Sequence, residues 1–117
     1  SDFLLNGGSG SQSVAGHVID HLGIDMVQGA VCQYFNITPE DISSPSRKRN
    51  IVQARQIAMY LSRNLTSSSL STIGEQIGGR DHATVLHACT TVSDLMAIDR
   101  LFKQYVNDIQ KILTEAY

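Results

Sequence analysis

Apolar residues recur at three- and four-residue intervals along most of this 117-residue chain, which is the spacing of one face of an α-helix. The clearest stripe predicts a helix whose inner face carries Ile51, Ala54, Ala58, Leu61 and Leu65. A Thr/Ser cluster at 66–69 ends this helix. Because the sequence shows neither a strand pattern nor an internal repeat, we predict an all-α fold, a compact helical bundle.

The pattern predicts a shorter helix, a turn and a polar loop ahead of this stripe. Asp25 is the expected N-cap of the shorter helix, which should end before Asn36. Its inner face should carry Val27, Ala30, Val31 and Tyr34. A turn at 39–42 then leads into the polar loop, residues 43–50, which contains Arg47, Lys48 and Arg49.

Two helices joined by a glycine pair follow the Thr/Ser cluster. The first, residues 70–77, is short and amphipathic with Ser69 as its cap, and Gly78 and Gly79 end it because glycine tolerates the left-handed conformation. Asp81 suits the N-cap of the second helix. The residues expected to face inward from that second helix are Val85, Leu86, Cys89, Val92 and Leu95/Met96.

A last helix is expected from about Asp99, and the N-terminal part of the chain is of a different kind. The apolar stripe of the last helix should consist of Leu101/Phe102, Tyr105, Ile109 and Ile112/Leu113, where either member of each pair can lie on it. The first dozen residues are rich in Gly and Ser and indicate a flexible linker or a cloning remnant. Residues 13–22 predict a short helix that Gly16 weakens.

Composition and cysteine usage narrow the class of protein. A 42% apolar fraction can build a small core, and no apolar run approaches the roughly 18 residues needed to cross a bilayer. The N-terminus lacks a signal-peptide pattern. Cys32 and Cys89 stand alone without a CxxC pair, so we expect buried free thiols and a reducing cytoplasm.

Charge is distributed unevenly, although the formal net charge is only −2. Residues 42–80 contain six bases against the single acid Glu75, whereas residues 1–41 contain five acids and no Lys or Arg, and residues 81–117 contain five acids and three bases. The middle of the chain can therefore form a positive surface that the total conceals.

The stretch GGRDHATVLHA, residues 78–88, concentrates candidate chemistry. His82 and His87 are five residues apart, which places them about 140° apart around a helix, so they cannot chelate one ion together. No spaced set of metal ligands is present, so we expect no metal site. No nucleophile has a recognisable local signature and no phosphate-binding glycine loop is present, so we expect no enzyme activity.

A third interpretation of this stretch is geometric. A short helix, a glycine-containing turn and a second helix form a helix-turn-helix, whose second helix enters the DNA major groove with its N-terminal residues toward the bases. Those residues are Asp81, His82, Ala83 and Thr84. An Asp can accept a hydrogen bond from cytosine, and an Ala can contact the thymine methyl. The simpler alternative is an ordinary capped helix start.

The segment from Ile42 to Ala88 closely resembles the C-terminal DNA-binding domain (domain IV) of the DnaA family of bacterial chromosomal replication initiators. The resemblance rests on RQIAMYL at 55–61 and on GGRDHATVLHA at 78–88, and it extends from about Ile24 to the end of the chain. It implies sequence-specific binding to double-stranded DnaA boxes at the replication origin and at some promoters.

The resemblance also implies roles for individual residues. Asp81, His82 and Ala83 occupy the base-reading positions of the family in the major groove, and Arg47 matches an arginine that enters the minor groove. Arg49 matches a further basic position, whereas Lys48 has no clear counterpart. The positions that match contacts to the DNA backbone or adjacent bases are Arg55, Gln56, Arg63, Thr66, Thr84 and His87. From the residues alone, His87 could equally be a partly buried structural histidine.

Two positions depart from the family pattern. Ala83 stands where many members have threonine, which removes a hydroxyl but keeps a methyl contact, and Ala54 stands where many members have proline. The same helical shape also fits a DNA-binding module of a transposase or transcription regulator. A helical protein–protein interaction domain is a further alternative.

In the family, an ATPase domain precedes this one. The resemblance therefore implies a flexible segment and connector at 1–24 and a helix-turn-helix domain at 25–117. It implies no cofactor for this chain, since ATP would bind the preceding domain, and a cytoplasmic, nucleoid-associated location. Contacts with the rest of the initiator or with regulatory proteins are further expected partners.

Overall fold

The computed structural model describes residues 22–116, and within that range all regular structure is helical. In chain order the helices are α1 (Ile24–Phe35), α2 (Pro39–Ser43), α3 (Arg49–Leu65), α4 (Leu70–Gln76), α5 (His82–Ile98) and α6 (Arg100–Ala116). The predicted all-α fold is confirmed. The predictions for residues 1–12 and for most of the helix at 13–22 lie outside the described residues.

Helix α3 lies at the centre of the bundle and packs against α1 and α5, while α4 packs on α5 and α6 contacts both α1 and α5. The predicted inner face of α3 is confirmed, since all of its members are buried: Ile51, Ala54, Ala58, Leu61 and Leu65. Fully burying a Leu or Ile side chain stabilises a fold by about 1.5–3 kcal/mol. Burial of this face of α3 therefore holds α1 and α5 in place against it.

The start of α1 differs from the prediction. Its N-cap is Gly23, so the prediction that Asp25 caps this helix is wrong. Asp25 instead lies in the first turn, where a negative charge interacts favourably with the helix dipole. Leu22 and Ile24 are buried in the core, so the folded unit includes residues that the sequence placed in the connector. The end of α1 is as predicted, because Asn36 adopts the left-handed conformation at φ 58°.

The predicted turn at 39–42 is a short helix, α2, with a complete capping box. The Thr38 hydroxyl accepts a hydrogen bond from the Asp41 backbone N–H, and the Asp41 carboxylate accepts one from the Thr38 N–H. The polar loop that follows is shorter than predicted, since α3 already begins at Arg49. The loop therefore comprises residues 44–48.

The predicted helix-turn-helix is formed by α4 and α5. The Ser69 hydroxyl caps α4 by accepting from the Thr72 N–H, as predicted. Gly78 and Gly79 both have positive φ, at 85° and 64°. Gly74 in α4 lies so close to the following turn that its carbonyl accepts a hydrogen bond of 2.7 Å from the Arg80 N–H. This contact folds the turn back onto α4.

Three large apolar residues in the predicted stripes of α5 and α6 are exposed. Leu86 is 44% exposed, Leu101 57% and Ile112 40%. Each one neighbours a fully or almost fully buried residue in sequence: Val85, Phe102 and Leu113. Because adjacent residues point about 100° apart on a helix, only one of each pair can lie at the centre of the buried face. The prediction for Leu86 is wrong for that reason, and in the pairs Leu101/Phe102 and Ile112/Leu113 the second residue is the buried one.

Helix α6 is attached to α1 by an aromatic cluster. The ring of Tyr34 meets those of Phe35 and Tyr105 edge to face, and the Tyr34 hydroxyl donates a 2.9 Å hydrogen bond to Asp108 Oδ2. Burial and this carboxylate raise the pKa of Tyr34 to about 12. The phenol therefore keeps its proton and its hydrogen bond throughout the neutral range. None of the helices between residues 22 and 116 has the length and apolar character needed to cross a membrane.

Candidate nucleic-acid interface

The first turn of α5 projects from the bundle. Its cap and first three residues are exposed: Asp81, His82, Ala83 and Thr84. The buried face of the same helix begins only at Val85 and continues through Ala88, Cys89 and Val92. We call residues 81–84 the tip. Its protrusion from a buried stripe agrees with the predicted placement of these four residues.

The side chains of the tip are ordered by the N-cap. Asp81 Oδ1 accepts hydrogen bonds from the Thr84 N–H at 2.9 Å and from the Thr84 hydroxyl at 2.7 Å. Both bonds end on the same oxygen, so Oδ2 is the remaining acceptor of this exposed carboxylate. The bonds from Thr84 lower the pKa of Asp81, since they favour the ionised form. At neutral pH the tip therefore presents a fixed acceptor.

The outer face of α5 continues beyond the tip. Leu86 lies one turn after His82 and Ala83, on the side of the helix that they share. Its 44% exposure adds an apolar group to that face, which the sequence interpretation missed. The i+4 spacing from His82 was the available signal. His87 is exposed, so the alternative of a partly buried structural histidine is wrong.

The basic loop, residues 44–48, is shaped by its serines. The Ser44 hydroxyl donates to the Asp41 carbonyl and accepts from the Ser46 N–H, and the Ser46 hydroxyl accepts from the Lys48 N–H. These hydrogen bonds from serine side chains fix the backbone of the loop, whereas the side chains of Arg47 and Lys48 remain exposed. The next base, Arg49, was predicted in the loop but is the first residue of α3, where it is also exposed.

Arg55 donates hydrogen bonds to backbone carbonyls in and just before the basic loop. Its Nε donates to the Ile42 carbonyl at 2.9 Å, and its Nη2 donates to the carbonyls of Ser44 at 2.8 Å and Ser46 at 3.2 Å. Burial and the charge of Arg80 lower the pKa of Arg55, although arginine stays protonated in proteins. Much of this guanidinium is thus engaged inside the protein, and its predicted contact with DNA remains a prediction.

The other predicted contact residues on α3 differ in exposure. Arg63 is exposed and borders a groove between α3 and α5, close to Cys89, while Gln56 is half-buried. Thr66, just after the helix, is only 4% exposed, and its hydroxyl donates to the Ser62 carbonyl. The structure therefore does not bring the Thr66 side chain to the surface that the tip and the basic loop occupy.

The two cysteines are free and buried, as predicted. Burial raises the pKa of both thiols, with the acidic residues of α2 adding to the effect on Cys32 and Arg63 opposing it at Cys89. A buried thiol with a raised pKa is a poor nucleophile. Among the described residues, no group of three His, Cys, Asp or Glu side chains is arranged to hold a metal ion.

Comparison with known proteins agrees with this geometry. A family model described as the bacterial dnaA protein helix-turn-helix matches residues 24–92, which include the basic loop and the tip. Relatives described as the chromosomal replication initiator protein DnaA are 50% identical over 93 residues in Flavobacterium psychrophilum and 49% over 90 residues in Bacteroides thetaiotaomicron. The corresponding protein of Chlorobaculum tepidum is 43% identical over 90 residues.

These matches cover 77–80% of this chain but only 18–20% of each relative. The chain therefore spans about a fifth of the length of these initiators, and it matches their C-terminal helix-turn-helix region. The family resemblance inferred from GGRDHATVLHA is confirmed. The chain therefore belongs to the bacterial DnaA helix-turn-helix family.

Proposed function

We propose that this chain binds double-stranded DNA sequence-specifically at DnaA-box-type sites and so serves the initiation and regulation of bacterial chromosomal replication. The observation that carries the proposal is the tip. Residues 81–84 protrude at the start of the second helix of a helix-turn-helix. The Asp81 carboxylate that caps this helix is fixed by its hydrogen bond from Thr84, and the basic loop lies next to the turn that precedes the tip. This is the arrangement that places side chains against base edges in the major groove.

Each tip residue has a distinct chemical role in this proposal. Asp81 Oδ2 accepts from the amino group of cytosine, His82 hydrogen-bonds or packs against a base edge, and the Ala83 methyl contacts a thymine methyl. The Thr84 hydroxyl already donates to Asp81. The Thr84 hydroxyl therefore orients the Asp81 carboxylate that reads the base. The free backbone N–H groups in the first turn of α5 are then the groups that contact a phosphate.

The basic residues outside the tip set affinity and position. Arg47 enters the adjacent minor groove, where a narrow A·T-rich groove has an enhanced negative potential. Arg49, Gln56, Arg63 and His87 contact the DNA backbone or adjacent bases, and such contacts fix register without reading sequence. Arg55 acts mainly by holding the loop that carries Arg47.

Binding of a DnaA-box duplex should be strong and steeply dependent on salt. If about five phosphates are neutralised, affinity should fall roughly 500-fold between about 50 and about 200 mM salt. Fluorescence anisotropy of the labelled duplex, titrated beside a scrambled duplex of equal composition, measures both the salt slope and the specificity. Equal affinity for the two duplexes would refute box recognition. Absence of any salt-sensitive binding would instead favour a protein–protein interaction domain.

Replacing Arg47 with alanine should reduce the preference for A·T-rich DNA beside the box. The expected loss is about 5- to 30-fold on A·T-rich flanks and much less on G·C-rich flanks, because only the narrow groove attracts the guanidinium strongly. Anisotropy with two probes that share one box and differ only in the flanks measures the ratio. Lys48→Ala, a neighbouring exposed base without a family counterpart, is the control and should leave that ratio unchanged.

In the same proposal this chain is a binding domain that catalyses no reaction and takes no cofactor. ATP binding and assembly on the origin are functions of other regions of the longer initiator, which acts on the chromosome in the cytoplasm. Regulatory proteins and the rest of the initiator are its proposed protein partners. The same DNA-binding domain could instead belong to a transposase or a transcription regulator, and the binding measurements above would not distinguish these proteins from an initiator. The sequence that precedes this domain in its gene distinguishes them, because a nucleotide-binding loop there indicates an initiator.

A further inference from the structure

The side chain of Arg80 bridges two parts of the fold that are distant in sequence. It leaves the turn between α4 and α5, and its Nη1 donates to the Ile77 carbonyl at 2.8 Å. Its Nη2 donates to the Ser44 carbonyl at 3.0 Å, across a separation of 36 residues. Arg80 immediately precedes Asp81, the cap of the tip. The same guanidinium therefore contacts the start of the basic loop and lies one residue from the tip.

Arg55 donates a hydrogen bond to the same carbonyl. Its Nη2 lies 2.8 Å from the Ser44 oxygen, so a single backbone carbonyl accepts hydrogen bonds from two charged donors. Charged donors make stronger hydrogen bonds than neutral ones. Both guanidiniums are half-buried, and burial lowers the pKa of each. We call this arrangement of Arg55, Ser44 and Arg80 the clamp.

The two glycines that flank Arg80 in space leave room for the clamp. A Cβ on Gly78 would collide with Nη1 of Arg80 and lie 3.2 Å from the Ser43 carbonyl oxygen. A Cβ on Gly74 would collide with the Arg80 carbonyl oxygen. A side chain at position 78 would therefore displace the Arg80 guanidinium from this path, and the positive φ of 85° separately favours glycine there.

We propose that Arg80 is a positioning residue which, with Arg55, fixes the basic loop relative to the tip and thereby couples minor-groove to major-groove reading. The coupling part of this proposal rests on the proposed function. The geometric reason is that the Ser44 carbonyl begins the loop carrying Arg47, whereas Arg80 is covalently adjacent to Asp81. A loop held at its origin presents Arg47 at one distance from the tip, so both groups meet their grooves in a single docking geometry.

A different role for Arg80 makes different predictions. If Arg80 acted only as a positive charge toward a phosphate, Arg80→Lys would retain most of its effect. A lysine ammonium is a point charge that lacks the planar fork reaching two carbonyls in fixed directions. Arg80→Lys therefore preserves charge while weakening the clamp. Arg100→Lys, at the exposed start of α6, is the matched control.

The first test uses the 117-residue protein without DNA. In the wild type, NMR of the arginine side chains should show slow rotation of the Arg80 and Arg55 guanidiniums and rapid averaging at Arg100. In Arg80→Lys, backbone ¹⁵N relaxation should show greater mobility of residues 44–48 with the helices unchanged. Rapid averaging at Arg80 in the wild type would overturn the clamp, as would an unchanged loop in the folded variant.

The second test measures DNA binding with duplexes that share one DnaA box and differ in A·T-rich or G·C-rich flanks. Arg80→Lys should reduce the flank preference by about 3- to 10-fold, and the double variant with Arg47→Ala should show the same preference as Arg47→Ala alone. Arg100→Lys should retain the full preference. A wild-type preference in Arg80→Lys, or an equal loss on every probe, contradicts the coupling. If the wild-type protein shows no box specificity, the proposed function fails, while the first test still decides whether the clamp exists.

Discussion

Replacing His82 with alanine should weaken binding to a DnaA-box duplex by about 5- to 150-fold, while binding to a random duplex changes little. His82 is the first residue of α5, and it is exposed next to Asp81, whose carboxylate caps the helix. Its side chain adds nothing to the buried core, so the substitution removes a base contact without creating a cavity. The quantity to measure is the ratio of affinities for box and scrambled duplexes at one salt concentration.

The matched control is His87→Ala on the same helix. His87 is also exposed, but it lies about 140° around the helix from His82 and is proposed to contact the backbone. Its loss should weaken binding to both duplexes by a similar factor and leave their ratio unchanged. An equal loss on both duplexes for His82→Ala would exclude the base-reading role of the tip. Circular dichroism of each variant checks that helicity is retained.

The sequence predicted the fold well where buried residues are spaced by three and four. All five residues predicted for the inner face of α3 are buried, because the stripe is separated by polar positions such as Arg63, although Ile57 and Met59 are buried as well and were not predicted. The faces of α5 and α6 were predicted less well. Pairs such as Leu101 and Phe102 are apolar side by side, and composition does not say which member lies inward. That choice depends on how α6 is rotated against α1 and α5, which is a property of the assembled bundle.

The candidate site was likewise predictable where it depends on local chemistry. The capping preference of aspartate and the glycine pair placed the tip correctly, since both act within a few residues. The clamp could not be predicted in this way. The bonds from Arg80 to Ser44 and from Arg55 to Ile42 join residues 36 and 13 positions apart, and nothing local distinguishes a clamping arginine from a solvated one. The burial of Thr66 could not be predicted either. A polar residue at a helix end is expected to be exposed, but here its tertiary neighbours bury it.

Replacing Gly74 with alanine should destabilise the fold by about 1–3 kcal/mol, although alanine is the better helix former. Gly74 lies within α4, where alanine alone would contribute about 1 kcal/mol of helix propensity. Its added Cβ, however, would collide with the Arg80 carbonyl oxygen and lie 3.3 Å from that of Asp81. These are backbone atoms held by the 2.7 Å bond from the Arg80 N–H to Gly74, so they cannot rotate away. The clash therefore outweighs the propensity.

Gly29→Ala supplies the control with the opposite sign. Gly29 is exposed in the middle of α1, and a Cβ there would have no neighbour within 4 Å. That substitution should stabilise the protein by about 0.5–1 kcal/mol by reducing the freedom of the unfolded chain. Thermal unfolding should place the two variants on opposite sides of the wild type, by several degrees for each kcal/mol. A Gly74→Ala midpoint at or above the wild type would mean that α4 and the turn can separate without loss, and the tip would then not be held by the close approach of Gly74.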